Sequence, residues 1–164
     1  MANGGVQNRN AAFEICLTPQ ASDLTDNQFD QLTYVDVCCL SELPEFGSEA
    51  ELISANCIDG TKLVGVGADS DADFTLSVFY MEDCEGQDEL RDMALAKDGV
   101  AYAVRKVYSD GVATVSTPTT VYARVVWTGF NDGGGGIDDF VTHTFTGAIR
   151  QGPVFVKTAA ISGP

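Results

Sequence analysis

Apolar residues in this chain recur mostly at intervals of two, in short bursts separated by Gly, Asp, Ser and Pro. Phe74, Leu76, Val78 and Tyr80 alternate with Thr75, Ser77 and Phe79, the period that half-buries a β-strand. Thr33 to Leu40 and Ala50 to Ile58 read as an earlier pair of strands, and Val100 to Tyr108, Val121 to Trp127 and Val141 to Ile149 as later ones. Along the last, Thr142, Thr144 and Thr146 share one face while Val141, Phe145 and Ile149 share the other, so one face packs and one is wet. Helical spacing is confined to Gln87 to Lys97, where Leu90, Met93, Ala94 and Lys97 line up, acids crowd the start and Gly99 marks the stop.

Six or seven strands and one short helix predict a mainly β fold, an antiparallel β-sandwich or flattened barrel rather than a parallel α/β sheet. Residues 1–32 are polar and rich in Gly, Asn and Gln apart from Ala11 to Leu17, a further short strand. They predict an N-terminal arm ahead of a single domain over 33–164. Between Asp59 and Asp73 a Gly- and Asp-rich run predicts a long hairpin or an extended loop, the kind of segment that in a small domain is usually functional or disordered.

At 164 residues the chain can build a core without metal or disulfides. Its start lacks the basic end and apolar run of an export signal, and no window approaches the ~20 apolar residues of a membrane span, so neither a cleaved signal nor a membrane anchor is expected. The five cysteines, Cys16, Cys38, Cys39, Cys57 and Cys84, are odd in number and their only close pair is adjacent, which predicts free thiols in a reducing compartment.

Charge narrows the function. The net charge is −15, and between Arg9 and Lys62 there is no Lys or Arg but ten Asp or Glu. Such a surface repels phosphates and argues against nucleic-acid binding by backbone neutralisation. It also keeps a subunit soluble.

Motifs that imitate reactive sites fail on inspection. Asp69-Ser70-Asp71-Ala72-Asp73 opens like a calcium loop, but the sixth and twelfth positions, which need Gly and Glu, are Phe74 and Tyr80. Gly133 to Gly136 lacks a following Lys-Ser/Thr and is flanked by Asp132, Asp138 and Asp139, which suits a hairpin tip and not a phosphate cradle. Zinc needs about four paired ligands, and His143 is the sole histidine among scattered thiols. In the middle of a Thr-rich strand it reads as a packing or hydrogen-bonding residue, and the acids are too many for any pair to stand out. Neither catalysis nor a cofactor is expected.

The stretch "DFTLSVFY…GQDELRDMA…GVAYAVRKVY" resembles the central segment of the major tail tube protein of long-tailed, non-contractile bacteriophages, in which a strand leads through "D…GQ.AL" into the one helix of a β-sandwich. The closing "FVTHTFTGAIRQGPVFV" is similar to that family's long Thr/Val-rich last strand, and Gly47-Ser48-Glu49-Ala50 to its "GEA" connection.

The resemblance implies a structural virion protein, assembled in the host cytoplasm, that forms stacked, hexameric rings making a hollow tail tube. Each subunit would add strands to a continuous inner barrel. The partners implied are the protein itself and the tail-tip, tape-measure and tail-terminator proteins, with DNA passing through without specific binding. Candidate segments follow: an inter-ring loop at Asp59, Gly65, Gly67, Asp69, Asp71 and Asp73; a ring-face loop at Asp132, Gly133, Gly134, Gly135, Gly136 and Asp138; and lumen acids at Asp36, Glu49, Glu51 and Asp110. The alternatives are the tube of a contractile injection or secretion machine, distinguished by a partner sheath, and an immunoglobulin-like binding module.

Overall fold

The computed structural model describes residues 11–47, 49–70, 73–108 and 118–156. Six strands form one antiparallel sheet in the order β2-β1-β6-β7-β8-β5: β1 (Ala12–Pro19), β2 (Val35–Asp36), β5 (Asp73–Phe79), β6 (Ala101–Val107), β7 (Thr120–Asp132) and β8 (Thr142–Val156). The remaining two, β3 (Glu49–Asn56) and β4 (Lys62–Ser70), form a separate two-stranded sheet, pairing among the described residues only with each other.

The sheet curls because one segment serves both of its edges. At its start Val35 and Asp36 pair with Ile15 and Glu14, and the Val37 N–H donates to the Phe13 carbonyl at 2.9 Å. A few residues on, Leu40 bridges Val78, the Phe79 N–H donates to the Cys39 carbonyl at 2.9 Å, and the Ser41 N–H donates to the Ser77 carbonyl at 3.0 Å. Residues 35–41 are therefore the seam of a flattened barrel, the predicted class.

Inward-facing side chains fill this barrel. Phe13, Ile15, Phe74, Leu76, Val78, Val104, Val125, Trp127, Phe145 and Ile149 form the main core. Helix α2 (Glu85–Ala96) closes one side with Leu90, Met93 and Ala94, the apolar positions of the helical spacing. It stops at Lys97, in the left-handed region at φ 48°, two residues before the expected Gly99. Burial of a Leu-sized side chain stabilises by about 2 kcal/mol, so this core is the main source of stability.

Four expectations need correction. A second helix exists, α1 (Asp26–Gln31), although one was predicted. It begins on a capping box: the Gln28 N–H donates to the Thr25 hydroxyl, and the Thr25 N–H donates to the Gln28 side-chain oxygen. Its Phe29 is fully buried on the outer sheet face, stacked on Tyr122 at 5.3 Å and packed with Cys16 and Ala103. Consequently residues 12–31 are not an arm: β1 pairs β6, and the Gln151 side chain holds the Leu24 backbone through bonds of 2.7 and 2.8 Å. Residues 1–10 of the expected arm lie outside the described residues.

The expected "GEA" connection is also displaced, since Glu49 and Ala50 already belong to β3. Finally, Cys38 and Cys84 are disulfide-bonded, contrary to the expectation of free thiols; Cys16, Cys39 and Cys57 are free. Sequence spacing gave no hint of this pair because the fold, not the chain, brings the seam against the helix.

Candidate assembly surfaces

The Gly86-Gln87 dipeptide sits where seam, helix and β5 meet. A Cβ on Gly86 would lie 2.1 Å from the Asp36 carbonyl oxygen, so only glycine lets the helix approach the seam this closely. Gln87 is 2% exposed, and its amide nitrogen donates to the carbonyls of Cys38 at 2.7 Å and Phe79 at 3.0 Å. Its side-chain oxygen accepts from the Met81 N–H at 3.1 Å. One amide thus joins three backbone groups that would otherwise end without partners. The disulfide fastens the same junction.

Two exposed apolar surfaces flank this body. In the β3–β4 hairpin every described side chain from Ile53 to Gly65 is exposed except Cys57, which is half-buried. Ile53 pairs with Gly65 and Ala55 with Leu63, so these four share one wholly apolar face. Ser54, Val64, Asn56 and Lys62 make the other face. The turn closes with the Cys57 N–H donating to the Thr61 carbonyl at 2.8 Å. The Thr61 N–H donates to the Asp59 carboxylate at 2.9 Å, which holds that carboxyl below its ordinary range.

The second surface lies where β5 ends beside the β7–β8 connection. Phe79, Tyr80, Met81, Ile137, Phe140 and Val141 are all exposed, Phe140 by 81%. Two contacts join four of them: Phe79 and Phe140 meet ring to edge at 5.8 Å, and the Tyr80 N–H donates to the Val141 carbonyl at 2.8 Å. Beneath them His143 is buried against the rings of Tyr80, Phe130 and Phe145, with Nε2 3.3 Å from the Asp132 carboxylate. It thus packs among three rings and also faces a carboxylate.

The expected residues can now be placed, two excepted. Asp59 is in the hairpin turn, Gly65, Gly67 and Asp69 are on β4, and Asp73 opens β5; Asp71 lies outside the described residues. Asp132 ends β7 and Gly133 to Gly136 with Asp138 form the β7–β8 connection, where the Gly136 N–H donates to Asp139 at 2.6 Å. Glu49 and Glu51 lie on β3, whereas Asp110 lies outside the described residues.

Asp36 is on β2 directly opposite Glu14, and Glu14 is ion-paired with Arg105. Partial burial and then the Glu14 charge raise the Asp36 carboxyl above its ordinary range. Arg105 also lies 4.3 Å from the centroid of the Tyr34 ring. Burial, with Tyr122 and Cys16 adding to it, holds the Tyr34 phenol well above its ordinary value.

What sequence reasoning missed is the patch at Phe79 to Met81 and Ile137 to Val141, together with the seam. Among the described residues no group of three His, Cys, Asp or Glu converges to hold a metal, and no helix is long and apolar enough to cross a membrane.

No protein-family model matches the chain, and no curated protein matches it in sequence. Solved structures do share its fold. A chain of an extracellular contractile injection system, from the PVC sheath/tube terminator in the extended state, superposes with a TM-score of 0.64 at 9% identity, covering 97% of this chain and all of that one. One from the PVC sheath-tube complex of such a system superposes with 0.64 at 10% identity, covering 96% and 94%. A chain from the tail of an empty GTA particle, refined with C6 symmetry, gives 0.59 at 12% identity, covering 94% and 100%. The fold is thus shared with chains of a contractile system, and it does not single out the non-contractile tails that the sequence resembled.

Proposed function

We propose that this chain is a structural subunit of a phage tail or injection particle, one that assembles with copies of itself into stacked rings around a channel. The observation that carries the reading is the match of fold, over 94–97% of this chain, with chains of sheath-tube and tail structures. Sixfold symmetry, taken from the GTA tail, is the expected ring number. The hairpin supports self-assembly independently: a lone two-stranded hairpin is marginal in water, so its exposed apolar face needs a partner.

On this reading the particle is the site of action, and the partners are further copies of the chain with tail-tip, tape-measure and terminator proteins. The acidity suits a wall past which DNA slides without adsorbing, with Asp36, Glu49, Glu51 and Asp110 as candidate lumen acids. A second reading, the tube of a contractile machine, is favoured by the PVC structures and is decided by whether a sheath protein co-purifies.

Negative-stain microscopy and sedimentation across a concentration series test the proposal. Rings or tubes are expected, with a tail-tip initiator added if the pure chain stays dispersed. A strict monomer even with the initiator sinks it.

A further inference from the structure

We propose that the cleft between the end of β1 and the turn after α2 binds one carboxylate side chain of a second copy of this chain, held by the guanidinium groups of Arg124 and Arg150. The inference deepens the self-assembly reading and rests on it.

The cleft has a volume of about 390 Å³, with Arg124, Val126 and Arg150 in its floor and the turns at 19–21 and 99–101 as its walls. Ala123, Val125 and Trp127 belong to the core, so Arg124 and Val126 between them lie on the outer face of the sheet. Arg150 reaches the same place through a bulge: Arg124 pairs with Gln151 and Val125 with Ile149, which leaves Arg150 as the extra, exposed residue of β8. Floor and walls are tied together in advance. The Gln20 N–H donates to the Ala101 carbonyl at 2.8 Å, and Arg124 Nη1 donates to the Gln20 carbonyl at 3.1 Å.

Charge selects the ligand. Arg124 Nη2 is paired with the Asp23 carboxylate at 2.6 Å, so two guanidinium groups against one carboxylate leave a single positive charge in the cleft. Lys97 and Asp98, both exposed at the adjoining turn, offset each other. Arg124 Nε is buried with no hydrogen-bond partner among the described residues, so this guanidinium, with five N–H donors, is short of acceptors. One carboxylate supplies both the matching charge and the acceptors, and it can take forked bonds from arginine. A nucleic-acid strand, charged at every phosphate, would instead meet Asp23, Asp98 and a net charge of −15.

The rest of the surface says where that carboxylate comes from. Arg91 and Arg105 are paired with acids of their own chain, and Lys106 is buried on the Pro44 carbonyl. The clefts on either side of residues 42–45 are lined by Asp36, Glu42, Glu45 and Asp73 and by no Lys or Arg. With 24 Asp and Glu against 9 Lys and Arg, a second copy approaches with acids foremost, and this cleft turns part of the mutual repulsion into a directed contact.

Variants of the full chain test this. Arg150→Gln should raise the concentration needed for assembly roughly tenfold at low salt, and less at high salt. Arg91→Gln removes the same charge from the surface of α2 and should change it less than about twofold. Carbodiimide coupling of Arg150→Lys then identifies the partner: a carboxylate adds to the reagent, the new amine displaces it to form an amide, and the reagent leaves as a urea. With isotope-labelled and unlabelled chains mixed in one assembly, the expected links join position 150 of one copy to an Asp or Glu of another. Links confined to one chain, links to a different protein or no links in assembled material overturn the proposal. So does unchanged assembly of Arg150→Gln, or capture of short duplex DNA by the unmodified chain and not by that variant. Should Arg150→Gln lower the unfolding midpoint, the links from Arg150→Lys decide alone. If the unmodified chain assembles while the links fail, self-assembly stands and only this contact falls; if it never assembles, both fall.

Discussion

Replacing Gln87 with Leu should weaken the fold far more than its single side chain suggests. The amide joins the seam at Cys38, the end of β5 at Phe79 and the turn at Met81, and leucine fills similar space with no polar atom. Leaving a buried backbone group unpaired costs about 1–3 kcal/mol. Cys38 is only partly exposed and pinned by its disulfide, so its carbonyl is counted at about 2 kcal/mol. Phe79 and Met81 are 36% and 47% exposed, so water reaches them and each is counted at about 1 kcal/mol. Against that sum of about 4, the more apolar leucine returns about 1 kcal/mol, leaving a loss of roughly 3 kcal/mol.

Trp127, the one tryptophan, is buried in the same core and reports unfolding in guanidinium, where the midpoint should fall by roughly 0.5–1 M. Gln87→Glu sharpens the test. Its ionised carboxylate would face two carbonyl oxygens, so that variant should be worse than leucine at neutral pH and recover on acidification, when a protonated carboxyl can donate one bond. Hydrogen exchange should localise the damage to the Phe79 and Met81 amides. A loss under 1 kcal/mol for leucine, or a glutamate variant indifferent to pH, would refute the account.

Three shorter tests address the same region. Gly86→Ala must push the helix off the Asp36 carbonyl and should cost about 1–3 kcal/mol in the same unfolding assay; an unchanged midpoint would contradict the close approach. Asp36 has a raised carboxyl, so its charged form disfavours the fold, and stability should rise as pH falls through the folded value toward the unfolded one. Asp36→Asn should therefore stabilise at pH 7, by about 0.5 kcal/mol or less for so exposed a group, and this gain should vanish below about pH 4. A gain that persists in acid would exclude charge as its cause. Reducing the Cys38–Cys84 bond, which spans 46 residues, should cost up to about 4 kcal/mol, and the double Cys→Ser variant should match the reduced protein and ignore reductant. Identical melting with and without reductant would mean the bond contributes nothing.

The main elements were legible because their signals are local. Alternation over Phe74 to Tyr80 and Val141 to Ile149, and helical spacing over Leu90 to Ala94, depend on the period of one element and on one packed face. The short helix was legible too, in the Thr25-x-x-Gln28 box ahead of Phe29 and Leu32, but the polar residues around it masked the signal. The seam was beyond reach: Thr33 to Leu40 reads as one strand, yet it is two short pairings on opposite edges, a matter of sheet curvature that no local pattern encodes. The disulfide and the three-way bonding of Gln87 follow from that curvature. For the surfaces, Gly and Asp content marked the hairpin region, whereas the apolar patch looked like ordinary core sequence.

The order of strands in the sheet also sets a sequence in time. β7 and β8 are joined by a short connection, and β6 precedes β7 by only a modest one, so this meander closes small loops and can form early. β1 pairs with β6 from the far end of the chain, Ile15 opposite Val104, and gains its partner only after a long loop is closed. Residues 35–41 can seal the barrel only after β1 and β5 are both in place. The first strand and the seam thus close the barrel through the contacts that cost the most chain entropy to form.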